Sequence, residues 1–144
     1  MISEIVSPEW SPLLALQQAT HHTLHVLAAE LAGLGLTASE INVLANLADG
    51  RSRTVSELGV AAGTRPTTLT SVLDRLEHRG HIRRGNAPGD RRAILIELTP
   101  AGRRTAATIR QAVTELEHRA LAALSAEALA GLRAALQALT EVSP

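Results

Sequence analysis

The sequence predicts one mainly α-helical domain that contains a single β-hairpin, in the order α-α-α-α-β-β-α-α. Three observations support this fold class. Apolar residues recur at helical spacing along most of the chain, and the spacing changes to the alternation of a β-strand only between Gly80 and Thr99. Residues that typically begin helices stand at the start of most helical stretches. The length of 144 residues suits about one domain.

The first two helices are predicted from their leucines and from the residues that bound them. Leucines at helical spacing extend from Leu13 to Leu31 and stop before a pair of glycines, which predicts a long first helix. Thr37 and Glu40 have the spacing of a capping box, in which the threonine oxygen accepts from a backbone amide and the glutamate reaches back to the start of the helix. This pattern predicts a second helix over about residues 38–48.

A helix-turn-helix is predicted next. Thr54 and Glu57 repeat the capping box, and the short helix that they begin stops near Gly63. Pro66 then begins a fourth helix, because proline suits the first helical position, and Gly80 ends it. One side of this fourth helix is apolar, and the other side is expected to face away from the core with small polar residues and one arginine.

The segment after Gly80 is predicted to form a β-hairpin, followed by two more helices. Apolar and polar residues alternate at residue 82 and again over residues 94–98, and the segment 85–89 between them is dense in turn formers. Thr99 precedes Pro100 as the cap of the fifth helix, and Ser125 caps the last.

The predicted single domain, residues 1–144, has two regions. Residues 37–102 form a winged helix-turn-helix lobe, in which the hairpin is the wing, and residues 1–36 and 103–144 form a helical dimerisation region. The terminal helices carry more apolar surface than one small lobe can cover, so we expect a homodimer. The leucines concerned are Leu13, Leu16, Leu24 and Leu27 at one end and Leu129, Leu132, Leu136 and Leu139 at the other.

The composition excludes several classes of function. The chain has no cysteine, which removes disulfides, cysteine-ligated metals and thiol chemistry, and Trp10 is its one Phe, Trp or Tyr residue. We find no phosphate loop, nucleophile elbow or paired carboxylates, so we predict that it is not an enzyme. The N-terminus resembles no signal peptide, and no window reaches the roughly 18 apolar residues of a membrane span, so we expect a soluble cytoplasmic protein.

The charge of the chain is zero overall but unevenly distributed. Twelve of the 14 arginines lie within residues 51–110, with only five acidic residues, which gives that segment a net charge of +7. By itself such a run is more often a solvated face. Here the arginines lie on a helix-turn-helix and its hairpin, where the second helix enters the major groove of DNA and guanidinium groups favour phosphates and the minor groove. Arg83, Arg84, Arg91 and Arg92 cluster on the hairpin, with Asp90 placed to pin one of them.

The residues around the hairpin resemble a known family. Leu76-Glu77 followed by Gly80 gives the pattern Leu-Glu-x-x-Gly before the wing, and Asp-x-Arg from Asp90 and Leu-Thr-x-x-Gly ending at Gly102 follow it. Both halves at this spacing are typical of the multiple antibiotic resistance regulator (MarR) family of bacterial winged-helix repressors. The motifs cover about residues 54–102, and the flanking helices match the order of the family over nearly the whole chain.

The resemblance implies a transcriptional regulator, expected to be a repressor, whose homodimer binds a palindromic promoter site in double-stranded DNA. It also implies release by a small anionic or phenolic ligand. Arg65 stands where the family often has a small capping residue, and Pro66 follows it. The candidate DNA-binding residues are Arg65 at the capping position before the recognition helix, Thr67, Thr68, Thr70, Ser71 and Arg75 on that helix, and Arg84, Asp90, Arg91 and Arg92 on the wing.

Three histidines in the first helix are the candidate ligand-binding residues: His21, His22 and His25. A pocket in this chain would be lined by leucine, valine and alanine, so histidine or arginine would supply the polar contact for an anion. We expect the pocket where the first, second and fifth helices meet the DNA-binding lobe. There, a bound molecule would change the distance between the two recognition helices of a dimer.

The same histidines allow a zinc-responsive alternative. His21 and His25 are four residues apart on one helix face, a spacing that can chelate a metal, and Glu30, Glu115 or His118 would have to complete the site. No third ligand is recognisable from the spacing, so we predict neither a metal nor another cofactor. A different class, a helical interaction module without DNA binding, also stays open, although the clustered arginines oppose it.

Overall fold

The computed structural model describes residues 9–144, so the prediction about the first few residues and targeting concerns a segment outside it. Over that range the chain forms six α-helices, one short 3₁₀ turn and three strands, in the predicted order with one added strand. The helices are α1 Pro12–Glu30, α2 Ala38–Ala45, α3 Val55–Ala62, α4 Pro66–His78, α5 Pro100–Leu121 and α6 Ala126–Thr140, and the 3₁₀ turn is Ala32–Leu34. The strands are β1 Arg53–Thr54, β2 Ile82–Ala87 and β3 Asp90–Leu98.

Both predicted capping boxes are present and fix the starts of α2 and α3. Thr37 Oγ1 accepts from Glu40 N at 3.2 Å, and Glu40 Oε1 accepts from Thr37 N at 3.1 Å. Thr54 and Glu57 make the same pair of hydrogen bonds at 3.1 and 3.2 Å. Ser125 Oγ accepts a backbone amide at the start of α6. These local hydrogen bonds explain why the starts of these three helices could be predicted from the sequence.

Helix α2 is shorter than predicted, because it ends at Ala45 and residues 46–49 form turns. The Asn46 side chain donates to the carbonyl of Asn42 at 2.8 Å, and Arg53 Nε donates to the Asn46 carbonyl at 2.9 Å. Arg53 Nη2 also pairs with Asp49 Oδ2 at 3.0 Å. The Arg53 side chain thus satisfies the Asn46 carbonyl, which a further helical turn would have used.

The sheet is antiparallel in the order β1-β3-β2, and it includes a strand that the sequence did not predict. In β1, Arg53 pairs with Ile96 and Thr54 with Leu95. Thr54 therefore belongs to the sheet through its backbone and caps α3 through its side chain. As a result, the first helix of the helix-turn-helix begins directly from the sheet.

The hairpin turn is tighter than predicted. Residues 85–87, which we expected in the turn, belong to β2, and the turn is made by Pro88 and Gly89, where Gly89 has φ of 79°. Asn86 pairs with Ile94 but Ala87 pairs with Asp90, so three residues of β3 bulge out between these partners. Two of the three are Arg91 and Arg92. The bulge thus places both arginines next to the tip of the wing.

The helix-turn-helix and the sheet share one core, within the compact unit whose described part is residues 9–113. Residues from α2 and the turn after it, and from α3, α4, β3 and α5, are almost completely excluded from solvent: Ile41, Val43, Leu44, Leu47, Leu58, Leu69, Val72, Leu76, Ile96 and Ile109. Residues 114–144 form a second compact unit, and its helix α6 buries none of its residues within the chain. The leucines of α6 are 37–42% exposed, which leaves an apolar stripe uncovered.

The start of α5 requires a glycine. The Thr99 amide donates to the carbonyl of His81 at 3.0 Å, and Gly102 N donates to Thr99 Oγ1 at 3.0 Å. A Cβ added at Gly102 would lie 1.8 Å from that same His81 oxygen. The helix therefore begins in direct contact with the backbone that leads into the wing, and this gives a physical reason for the glycine that ends the motif.

Candidate nucleic-acid interface

The recognition helix α4 buries one side and exposes the other. Leu69, Val72, Leu73 and Leu76 are at most 2% exposed and attach the helix to the core. All the predicted DNA-binding residues of this helix lie on the exposed side, namely Thr67, Thr68, Thr70, Ser71 and Arg75. This face has hydroxyl and guanidinium donors, as base edges and phosphates require.

The first turn of α4 is open at its N-terminal end. Arg65 takes the position before the helix but makes no side-chain capping bond, and Pro66 fills the first helical position. Thr70 Oγ1 donates to the carbonyl of Pro66 at 2.9 Å, so part of its hydrogen-bonding capacity is used within the helix. An exposed helix start without a side-chain cap offers backbone amides to an anion such as a phosphate.

The turn between α3 and α4 is fixed by a hydrogen bond within the turn and by one from α2. Gly63 adopts φ of 63°, which favours glycine, and ends α3. Thr64 N donates to the carbonyl of Gly59 at 3.0 Å, and the Asn42 side chain of α2 donates to the carbonyl of Ala62 at 2.8 Å. These bonds fix the angle at which α4 leaves the turn.

The arginines at the tip of the wing are exposed. Arg91 and Arg92 lie in the bulge of β3, and both are open to solvent. Asp90 Oδ1 accepts from the backbone amide of Arg92 at 2.9 Å, so Asp90 shapes the backbone of the tip, where we had expected it to hold a guanidinium. The two guanidinium groups are therefore placed where a duplex backbone can reach them.

The arginines at the base of the wing have acidic partners. Arg83 Nε pairs with Glu97 Oε1 of the neighbouring strand at 2.7 Å. Arg84 Nη2 pairs with Asp74 Oδ1 of α4 at 2.5 Å. Arg84, which we predicted as a DNA contact, thus links the wing to the recognition helix, and its partner Asp74 was not identified from the sequence. The sequence shows only that Asp74 lies on the exposed side of α4, and which wing residue it meets depends on the tertiary fold.

His81 lies between α4 and the wing with an unusual environment. Its Nδ1 is buried without a hydrogen-bond partner. Burial lowers the pKa of His81, the Arg79 guanidinium lowers it further, and the Glu40 carboxylate acts in the opposite direction. The neutral imidazole is therefore favoured at this position.

The three histidines predicted to bind a ligand are all exposed on α1. His21 and His25 have ring centroids 5.7 Å apart, as their helical spacing predicts. Within the described residues, no group of three or more His, Cys, Asp or Glu side chains is arranged to hold a metal ion. The spacing of His21 and His25 therefore places two imidazoles next to each other, but no further ligand joins them among the described residues, so the zinc-responsive alternative has no support.

An open cleft of about 660 Å³ lies near these histidines, but none of the three lines it. Its walls come from α1, α2, the end of α3, the turn after it and the first turn of α4, whereas we expected a pocket that includes α5. Polar lining residues include Thr20, Thr23, Asn42 and Arg65.

No helix within residues 9–144 is long and apolar enough to cross a lipid bilayer.

Comparisons with known proteins agree with this architecture. The family model described as "MarR family" matches residues 34–93, which include α2 to α4 and most of the wing. The transcriptional repressor MdtR of Bacillus subtilis is 37% identical over 68 residues, which cover 47% of this chain and 44% of that protein. This match thus spans less than half the length of the curated relative. The relatives found are transcriptional regulators, in agreement with the prediction that the chain is not an enzyme.

Solved structures match over a larger part of the chain. Wild-type MarR from E. coli is 27% identical with a TM-score of 0.68, and the match covers 90% of this chain and 98% of that one. NadR in complex with 4-hydroxyphenylacetate has a TM-score of 0.84 at 23% identity, with 96% and 98% covered, and shows the shared fold. The family match to the lobe, the similarity to MarR itself and the winged helix-turn-helix fold lead to one conclusion: the lobe of this chain over residues 34–93 is similar to the MarR family of transcriptional regulators, and the fold is shared over most of the chain.

Proposed function

We propose that this chain is a sequence-specific regulator, acting as a repressor, whose homodimer binds an inverted repeat in double-stranded DNA. The observation that supports this most directly is the exposed hydroxyl-rich face of α4 beside a wing with two solvent-exposed arginines at its tip. In this proposal, α4 supplies specificity through contacts with base edges in the major groove, and the wing supplies affinity through contacts with phosphates or the minor groove. The related MdtR is a repressor, which favours repression by this chain as well.

The homodimer is supported by the uncovered leucines of the terminal helices. Of the leucines predicted for the interface, Leu13 is 49% exposed and those of α6 are 37–42% exposed, whereas Leu27 of α1 is buried within the chain and does not contribute to such a surface. A second copy would remove this apolar surface from water, which is the usual driving force for such an assembly. Two-fold symmetry would then place the recognition helices about 34–36 Å apart and require an inverted repeat.

The test of DNA recognition is a selection from a pool of random duplexes, followed by binding measurements with the selected duplex and a scrambled one. We expect an inverted repeat to emerge. Thr70→Ala and Ser71→Ala should each change the preference among base pairs, where a wrong pair typically costs about 1–3 kcal/mol. If neither variant changes affinity or preference, α4 does not read the sequence as proposed.

Release by a small anionic or phenolic ligand is the second part of the proposal. NadR, with the same fold, was crystallised with 4-hydroxyphenylacetate, and this chain has an open cleft between α1, α2 and the start of α4. The exposed histidines His21, His22 and His25 stay the candidate partners of the anion. To move the DNA-competent population from 99:1 to 1:99, a ligand must prefer the other state by about 5.5 kcal/mol, so weak ligands would release DNA only partly.

Titration of the DNA complex with hydroxyphenylacetate and salicylate, and separately with zinc and a chelator, tests this part. Release by the acids, weakened in the triple alanine variant of His21, His22 and His25, supports the proposed site. Loss of DNA binding on chelation would instead require a metal and would refute it.

A further inference from the structure

Glu40 is the buried charged residue of the described part of the chain, with an exposed fraction of 3%. The capping box uses only one of its oxygens, since Oε1 accepts from Thr37 N. The other oxygen, Oε2, is buried and has no hydrogen-bond partner. A buried carboxylate with an unpaired oxygen costs free energy, so the cap alone does not explain why a charged group stands here.

Two arginines lie on either side of this carboxylate, Arg75 of the recognition helix and Arg79 directly after its end. Arg75 Nε lies 3.9 Å from Oε1, and Arg79 Nη1 lies 3.9 Å from Oε2. These distances are too long for hydrogen bonds but short enough for strong attraction near a buried group. Glu40 is therefore linked by charge to the helix that we propose reads DNA.

The two arginines are held in different ways. Arg79 donates to the carbonyls of Gly35 at 2.8 Å and Leu34 at 3.2 Å, so it is fixed to the segment before α2. Arg75 has no such hydrogen bond among the described residues, and half of its side chain is exposed. The charge of Glu40 is the restraint that acts on the Arg75 guanidinium from inside the protein.

We propose that Glu40 is a positioning residue that sets DNA specificity by restraining Arg75 on the outer face of α4. This inference rests on the proposed function. Without the charge, Arg75 would be free to turn to the nearest phosphate, and a phosphate contact strengthens binding to every duplex regardless of sequence. Glu40 thus keeps down sequence-independent affinity while it orients a side chain of the recognition face.

The test uses Glu40→Gln, because glutamine also serves in a capping box and the substitution removes only the charge. The second capping box supplies a matched control. Glu57→Gln makes the same chemical change at the third position of α3, where no ion pair to α4 is present among the described residues. The two probes are the duplex that the wild-type protein selects from a random pool and a scrambled duplex of the same composition.

We expect Glu40→Gln to bind the scrambled duplex about threefold to tenfold more tightly. Binding to the selected duplex should stay nearly unchanged, because the loss of an oriented Arg75 there offsets the added phosphate contact, so discrimination between the two duplexes falls by the same factor. The slope of log K against log salt on the scrambled duplex should become steeper by about 0.9, as for one added phosphate contact. Glu57→Gln should change discrimination by less than about twofold. In an Arg75→Ala background, Glu40→Gln should have no further effect, because the restrained side chain is gone.

Equal weakening of both duplexes by Glu40→Gln, together with a lower melting temperature, would show a merely structural role and overturn the proposal. So would an equal effect of Glu57→Gln, or an effect that persists with Arg75→Ala. If the wild-type protein selects no duplex at all, the proposed function itself fails and this inference fails with it.

Discussion

Replacement of Gly102 by alanine tests the packing of α5 against the wing. The added Cβ would lie 1.8 Å from the carbonyl oxygen of His81, and it must move by more than 1 Å before the contact becomes one that real Cβ atoms show. The obstacle is backbone, which cannot rotate away as a flexible side chain can. The helix start and the segment before β2 therefore have to separate.

The expected loss follows from three contributions. Overpacking typically costs about 1–3 kcal/mol. Separation also weakens the hydrogen bond from Thr99 N to His81 O, now 3.0 Å long, which is worth about 1 kcal/mol. Alanine in place of glycine in a helix regains about 1 kcal/mol. We expect Gly102→Ala to lower the free energy of unfolding by about 1–3 kcal/mol, or roughly 3–9 °C in melting temperature.

The assay is urea and thermal unfolding followed by circular dichroism, at several protein concentrations because a dimer couples stability to concentration. Gly131→Ala in α6 is the matched control. A Cβ there meets nothing within 4 Å, and helical spacing places it on the side away from the exposed leucines. This variant should gain up to about 1 kcal/mol. A Gly102→Ala protein as stable as wild type would refute the reasoning.

Three further predictions concern the wing, the dimer and pH. The double variant Arg91→Ala, Arg92→Ala should weaken binding to all duplexes and flatten the salt slope by about 1.8, with sequence preference retained; an unchanged slope would exclude the tip from phosphate contact. The double variant Leu132→Glu, Leu136→Glu should be monomeric by light scattering, since it places charge in the apolar stripe, and a stable dimer would exclude α6 from the interface. Because the folded protein lowers the pKa of His81, the unfolded chain binds more protons below the ordinary value of 6.5, so stability falls as pH falls below that value. His81→Gln should reduce this loss in unfolding measured between about pH 7 and 5, and an identical pH profile would contradict it.

Local hydrogen-bond patterns were predictable from the sequence, and contacts between distant segments were not. The capping boxes at Thr37 and Thr54 depend on residues three apart, so the helix starts they predict are confirmed. Strand β1 was missed because two residues carry no readable alternation, and it exists only through pairing with β3. The end of α2 was also predicted wrongly, because the hydrogen bond that satisfies the Asn46 carbonyl there comes from the Arg53 side chain, seven residues further along the chain.

In the candidate site too, features within one helix could be predicted from the sequence, and contacts between separate elements could not. The exposed face of α4 follows from helical periodicity, so the placement of Ser71 and its neighbours was predictable. The pairing of Arg84 with Asp74 and the approach of Arg75 to Glu40 join separate elements, and no spacing in the sequence indicates either. Glu40 was recognised only as a capping residue, because its second role depends on burial beneath α4.

If the chain binds DNA as proposed, the two roles of Thr54, in the sheet and in the cap of α3, limit how the protein can adapt to different binding sites. Its backbone pairs with Leu95 in the sheet while its side chain caps α3, so a swing of the wing would break a strand pairing or a helix cap. The ion pair between Arg84 and Asp74 is a second connection from the wing to α4. The span from wing tip to recognition helix is consequently a fixed length within each lobe. In the proposed dimer, we therefore expect a change in half-site spacing to be met by the connections to the terminal helices, because the Thr54 pairing and the Arg84–Asp74 ion pair connect the wing to the helix-turn-helix.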